Sequence, residues 1–145
     1  MEWADDGDVL VARLDNDEDF FDSLEKVCRE AKCFSGSVLT GIGMLKEFEI
    51  GFFDGKNYKI YSRMEPAELV ALNGTIAFEK TGDNLEFKPH FHAVLAKEDH
   101  IAIGGHLRKA KVNLMNEIVI RKNKKAEFRR LRNPENNLTY LKFHI

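Results

Sequence analysis

The spacing of hydrophobic positions changes character once along the chain, from helical near the N-terminus to alternating thereafter. Val9–Leu14 alternates apolar and polar residues, the period of a half-buried strand. Phe20, Phe21, Leu24, Val27, Cys28 and Ala31 then recur at helical spacing, which predicts a helix from about Asp17 to Lys32. Asp15, Asn16 and Asp17 offer N-cap oxygens, and Glu18 and Asp19 suit the positive end of the helix dipole. Asp22–Lys26 and Glu25–Arg29 are favourable pairs one turn apart on the polar face. Beyond Cys33 the pattern is β. The predicted strands are Ser37–Ile42 (broken or bent at Gly41-Ile42-Gly43), Lys46–Phe53, Tyr58–Arg63, Leu69–Phe78, Phe87–Ala96, Ile101 towards His106, Val112–Ile120, Phe128–Leu131 and Leu138–Phe143. Phe48, Ile50 and Phe52 share one face of the second of these. Asp54-Gly55 is a hairpin signal, and Pro66, Thr81-Gly82-Asp83 and the Asn133–Asn137 stretch mark turns. One helix among many short strands predicts an α+β domain built on a largely antiparallel sheet. The 145 residues are read as one domain, with a core over about 8–132 and a C-terminal strand over 138–144.

The strand Phe87–Ala96 carries the most informative residues. His90, His92 and Val94 lie on one face and Phe91, Ala93 and Leu95 on the other, so both faces hold apolar residues and a central strand is expected. Alternate residues of a strand are roughly 7 Å apart, close enough for two imidazoles to converge on one ion. His106 returns on the next strand after a turn near Glu98 and Asp99. Three neutral imidazoles are a frequent zinc donor set that leaves a position for water or substrate. The same residues also admit a plain reading as hydrogen-bonded histidines without metal. His100 and His144 are expected to be exposed. Gly104-Gly105, before His106, permits either a tight turn or a bulge. Glu117 sits between Met115 and Val119 on an apolar strand, where a buried carboxylate would need either a basic partner or a metal.

Charge refines the picture. The net charge is −2, but the first 35 residues hold eleven acidic and four basic side chains. Arg121, Lys122, Lys124, Lys125, Arg129, Arg130 and Arg132 form a basic stripe interrupted by Glu127. Such a stripe either faces phosphates or lies on a solvated edge strand. Cys28 and Cys33 match no C-x-x-C motif and are read as reduced, structural thiols. No apolar run approaches a membrane span, and the acidic start Met1–Asp6 lacks the features of a signal peptide, so a cytoplasmic protein is expected.

Several pieces in order resemble the plants and prokaryotes conserved (PPC) domain. Val38-Leu39-Thr40-Gly41-Ile42-Gly43 resembles its early glycine motif and Glu68–Ile76 its central strand. His90-Phe91-His92, Gly104-Gly105-His106-Leu107 and Glu117 follow at the family spacing. The resemblance implies a compact α+β domain that assembles as a homotrimer, with a fold similar to acetolactate decarboxylase, a zinc enzyme with three histidine ligands. It also implies zinc at His90, His92 and His106, and DNA as a partner. The chain contains no Arg-Gly-Arg-Pro AT-hook. At the Gly-Arg-Phe-Glu-Ile-Leu run of plant members it has Glu65-Pro66-Ala67-Glu68-Leu69-Val70.

Three functions follow. One is a trimeric DNA-binding or regulatory protein that uses the basic stripe. The second is a zinc enzyme or small-molecule binder acting on a small carbonyl or anionic substrate. There Glu117 would be a base or second support, and Lys88 or Lys111 would hold an anionic substrate. The third is a structural trimer with metal-free histidines.

Overall fold

The computed structural model describes residues 1–145. It opens with a hairpin that the hydrophobic pattern does not announce. β1 (Glu2–Asp6) turns at Gly7 and pairs antiparallel with β2 (Val9–Asp15). Four of the five β1 residues are exposed, so the strand has no apolar alternation to read and is defined by backbone pairing. Helix α1 spans Phe20–Glu30 rather than Asp17–Lys32. Asp17 has a φ of 69° and its N–H donates to the Val112 carbonyl, so the helix cannot start there. Asp19 is the N-cap, accepting from the N–H groups of Phe21 at 2.9 Å and Asp22 at 3.0 Å. The Glu25–Arg29 pair forms at 2.6 Å, as expected.

The remaining strands are β3 (Ser35–Phe53), β4 (Tyr58–Arg63), β5 (Ala67–Thr81), β6 (Asn84–Phe87), β7 (His90–Ala96), β8 (Ala102–Lys122), β9 (Glu127–Arg132) and β10 (Thr139–His144). Two pairs of predicted strands are therefore single long ones. Ser37–Ile42 and Lys46–Phe53 merge into β3, and the His106 and Val112–Ile120 segments merge into β8. Bulges bend them without ending the pairing. β3 and β8 shift register after Val38, Gly43, Lys46 and Glu49, and Glu47 and Leu114 have φ of 47° and 61°. The predicted strand from Phe87 instead splits at Lys88-Pro89 into β6 and β7.

All named pairings are antiparallel, and β8 is the hub, bonding to β2, β7 and β3. β7 pairs with β5 and β5 with β3, so the ring β3–β8–β7–β5–β3 closes and leaves these four strands no common open edge. The hairpin β9–β10 forms its own two-stranded sheet, tied down where the Ser35 hydroxyl accepts from the Phe128 N–H at 2.9 Å.

α1 packs its buried Phe20, Leu24, Val27 and Cys28 into the core. Phe91 of β7 meets Phe20 edge-on at 6.3 Å and Phe21 at 5.8 Å. Each fully buried side chain of this size stabilises the fold by about 1.5–3 kcal/mol. The helix therefore covers the Phe91 face of β7 and leaves the histidine face uncovered. On that face Val94 remains 40% exposed, so β7 is central through its two neighbouring strands and not through burial on both sides. The apolar face of β3 likewise outruns the core: Phe48 and Ile50 are buried, whereas Phe52 is 67% exposed. Both cysteines are buried free thiols. No helix is long and apolar enough to cross a membrane.

Candidate metal centre and its cavity

His90 and His92 alternate along β7 and so project from the same face. His106 lies directly opposite His92 in the β7–β8 ladder. The hairpin between them is held by the Asp99 carboxylate, which accepts from the Ile101 N–H at 2.9 Å. The ring centroids are 5.1 Å (His90–His92), 4.9 Å (His90–His106) and 5.6 Å (His92–His106) apart. One nitrogen of each ring lies within 4.8 Å of the other two. The Nε2 atoms of His90 and His92 are 3.2 Å apart. Two nitrogens of a tetrahedral zinc site with bonds near 2.0–2.1 Å are separated by about 3.3 Å, so the pair already has the spacing of ligands. The Nδ1 atom of His106 is buried with no hydrogen-bond partner, a cost that coordination through it would remove. On both grounds the donor set fits a zinc-type ion.

Two glycines allow this convergence. Gly74 on β5 faces Phe91 with a φ of 153°, and a Cβ there would run into the His90 carbonyl. Gly105 pairs with Ala93 inside β8, and a Cβ on it would lie 2.8 Å from the Gly51 carbonyl oxygen. Gly104-Gly105 is therefore neither a turn nor a bulge against β7. It is paired backbone that lets β3 approach closely beside His106.

Burial pushes the His106 imidazole down to about 4, with further lowering from His90, His92, Arg108 and Arg130. His90 is lowered too, first by burial and then by Arg130 and His92. Both rings are thus held neutral at pH 7, the form that binds metal.

His90 and His106 open onto a cavity of about 850 Å³. The ring of Tyr58 lies 5.7 Å from that of His106, and the Arg108 guanidinium sits over Tyr58 at 5.4 Å. Lys88, Arg130 and Arg132 add positive charge to the lining, and Glu79 is its single carboxylate.

The other residues singled out from sequence are dispersed. Lys88 lines the cavity but pairs with Glu86 at 2.6 Å. Lys111 is elsewhere, paired with Glu47 at 2.9 Å. Glu117 is exposed, opposite Arg13 and Ile42 and outside the histidine cluster, so the expected burial is corrected and solvation replaces the need for a partner. The basic stripe is not one surface. Lys122 binds Asp5 at 2.6 Å, Lys124 pairs with Asp8, and Arg129 meets Glu127 at 3.1 Å. Arg121 and Lys125 are exposed, Arg132 reaches the cavity, and Arg130 is only 6% exposed. His100 and His144 are exposed, as expected. Sequence reasoning missed the place of Tyr58, Arg108 and Arg130 at the cavity. For Arg130 a signal existed: it shares the strand face of the half-buried Phe128, two residues away.

A family model of the Plants and Prokaryotes Conserved (PCC) domain matches residues 1–124. No curated protein matches the chain. Among solved structures, a Bacteroides thetaiotaomicron protein provisionally named as DNA-binding is 26% identical. Its TM-score is 0.84, with 98% of this chain and 96% of that one covered. A Pyrococcus horikoshii plant- and prokaryote-conserved protein superposes with a TM-score of 0.78 at 20% identity, over 99% and 96% of the two chains. An Archaeoglobus fulgidus protein described as metal-containing has a TM-score of 0.74 at 26% identity, over 92% of each chain.

Proposed function

The chain belongs to the Plants and Prokaryotes Conserved (PCC) domain family, and from that premise we propose that it is a metal-dependent small-molecule protein whose zinc is held by His90, His92 and His106. The observation that carries this reading is the 3.2 Å Nε2 separation of His90 and His92, with His106 opposite. Three nitrogen donors suit zinc, and the fold likeness to acetolactate decarboxylase that the family resemblance implies favours the same ion. A bound zinc ion supplies Lewis acidity for a carbonyl oxygen and lowers the pKa of its own water. The protein's part is to keep the His90 and His106 imidazoles neutral, to border the reaction space with Tyr58, and to draw an anionic substrate with the basic lining of the cavity. Glu117 belongs to this reading only if a second copy brings it to the centre, since it is outside the cluster of its own chain.

A homotrimer is part of the proposal. Leu39 and Ile42 on β3, Val94 on β7 and Leu114 and Met115 on β8 are exposed apolar residues that contacts between copies would cover. The test is metal content and mass measured together on untagged protein. The expected result is about one zinc per chain in a trimer, lost in the His90→Ala/His92→Ala variant while the fold is kept. A metal-free trimer removes the enzyme reading.

DNA binding is the second reading, motivated by the provisional name of the Bacteroides neighbour. Arg121 and Lys125, with Lys124, border a shallow surface pocket at the end of β8. Affinity that falls steeply with salt is expected on this reading. Undetectable binding at low salt eliminates it.

A further inference from the structure

Arg130 stands on β9, beyond the residues matched by the family model, and its side chain is almost wholly buried beside the histidine centre. Its Nε donates to the Lys88 carbonyl at 3.4 Å, and its second terminal nitrogen donates to the Thr75 hydroxyl. Both acceptors are neutral. A guanidinium offers five N–H donors and a full positive charge, so most of its hydrogen-bonding capacity and all of its charge lack a counterpart. Burial alone lowers its pKa, with no carboxylate acting in the opposite sense. Arg130 lines the same cavity as His90 and His106, which puts its charge at the centre's edge. Arg108 and Arg132 add two guanidinia to the same lining, and neither has a carboxylate partner within ion-pair distance, whereas Lys88 is neutralised by Glu86.

A purely structural role falls short. A clamp for the β9–β10 hairpin would need the two hydrogen bonds but not the charge. A buried cation without a counter-charge is costly, and a metal ion beside it would raise that cost. An anion entering the cavity relieves both.

We infer that Arg130, supported by Arg108 and Arg132, is the anion subsite of this cavity. It receives the carboxylate or phosphate group of a small molecule whose remaining oxygens reach the three-histidine centre. The planar fork of arginine suits either group by paired hydrogen bonds. The link to the histidine centre rests on the metal reading above. The anion subsite does not, and the experiment separates them.

The probes are inorganic phosphate and pyruvate, each titrated into zinc-loaded and zinc-free protein, with affinity read by calorimetry and by the rise in Tm. At least one anion is expected to bind wild-type protein. Arg130→Gln should weaken it about tenfold or more while zinc affinity stays within about twofold. The probe that binds decides between phosphate and carboxylate. Should Arg130→Gln fail to fold, NMR titration of the wild-type chain replaces it. Shifts of the Arg130 Nε–H and of the Thr75 and Lys88 amides should then saturate with the calorimetric Kd. Anion binding by a chain that takes up no zinc would leave the subsite standing and remove the metal reading. The subsite itself is overturned if neither anion binds, if Arg130→Gln binds as the wild type does, or if the shifts fall only at Arg121–Lys125.

Discussion

The basic residues near the C-terminus meet two opposite fates within a dozen positions. On the outer face, the exposed Lys124 and Arg129 and the half-buried Lys122 each have an acidic partner: Asp8, Glu127 and Asp5 respectively. In the cavity, Arg130 is buried and its partners are a carbonyl and a hydroxyl. Lys122 and Lys124 neutralise the acidic N-terminal hairpin because β2 runs antiparallel to β8 and sets Val9 opposite Arg121. The difference teaches that a run of like charges in sequence is not a surface property. Charge in water is screened and readily matched, whereas the buried Arg130, lining the histidine cavity, has only neutral partners.

The largest effect expected from testing this contrast lies at the centre itself. His92→Ala should weaken zinc binding by more than about 100-fold, beyond the loss typical of changing an outer support of a metal site. Lys122→Ala, measured by the same competition with a chelator, should leave it unchanged. Next comes the backbone. Gly74→Ala places a Cβ against the His90 carbonyl at a φ of 153°, and should cost about 1–3 kcal/mol from strain alone. Gly7, at the outer hairpin turn, has a φ of 72° and nothing within 4 Å of a built Cβ. Gly7→Asn should change stability by about 0.5 kcal/mol or less, because asparagine tolerates this conformation in an open turn. Urea denaturation of both variants checks the pair.

The two regions should also respond to acid in different windows. For metal-free protein, His106 has a folded value of about 4 against an ordinary value of 6.5, and His90 is lowered as well. Above 6.5 the rings are neutral in both states and no difference arises. As pH falls below that value the unfolded chain takes up protons that the folded chain refuses, so stability declines towards pH 4. Asp8 is shifted down from 3.8 by Lys124. Its contribution is present above 3.8 and is lost only as pH falls through its depressed value. Tm measured from pH 7 to 3 should therefore fall first through the histidine window, and His106→Gln should flatten that first decline. The smallest effect is expected from Lys124→Gln, which removes one exposed pair and should leave Tm and zinc affinity unchanged. A measurable loss of either would contradict the division between the outer face and the cavity.

Much of the site was legible because its information is local. The i, i+2 spacing of His90 and His92 declares a shared face in any strand, and the apolar spacing from Phe20 to Cys28 declares one side of a helix. Glu117 was misread for a related reason. Its apolar neighbours suggested burial, but Met115 is itself exposed and Val119 only half-buried. The pattern of one strand says which residues go together and not which face is covered.

By itself, then, the sequence determined the class of the fold, the amphipathic helix, the strand carrying two histidines and a set of three imidazoles able to hold a metal. Those features follow from periods of two and 3.6 residues and from side-chain chemistry, which need no knowledge of the rest of the chain. The tertiary structure decided the continuity of β3 and β8 through their bulges. It also decided the register that puts His106 opposite His92, the pairing of the outer lysines with aspartates more than a hundred residues away, and the burial of Arg130. These depend on which strands meet and in what alignment. That is set by closing the ring of strands around one core, and no local window of sequence contains it.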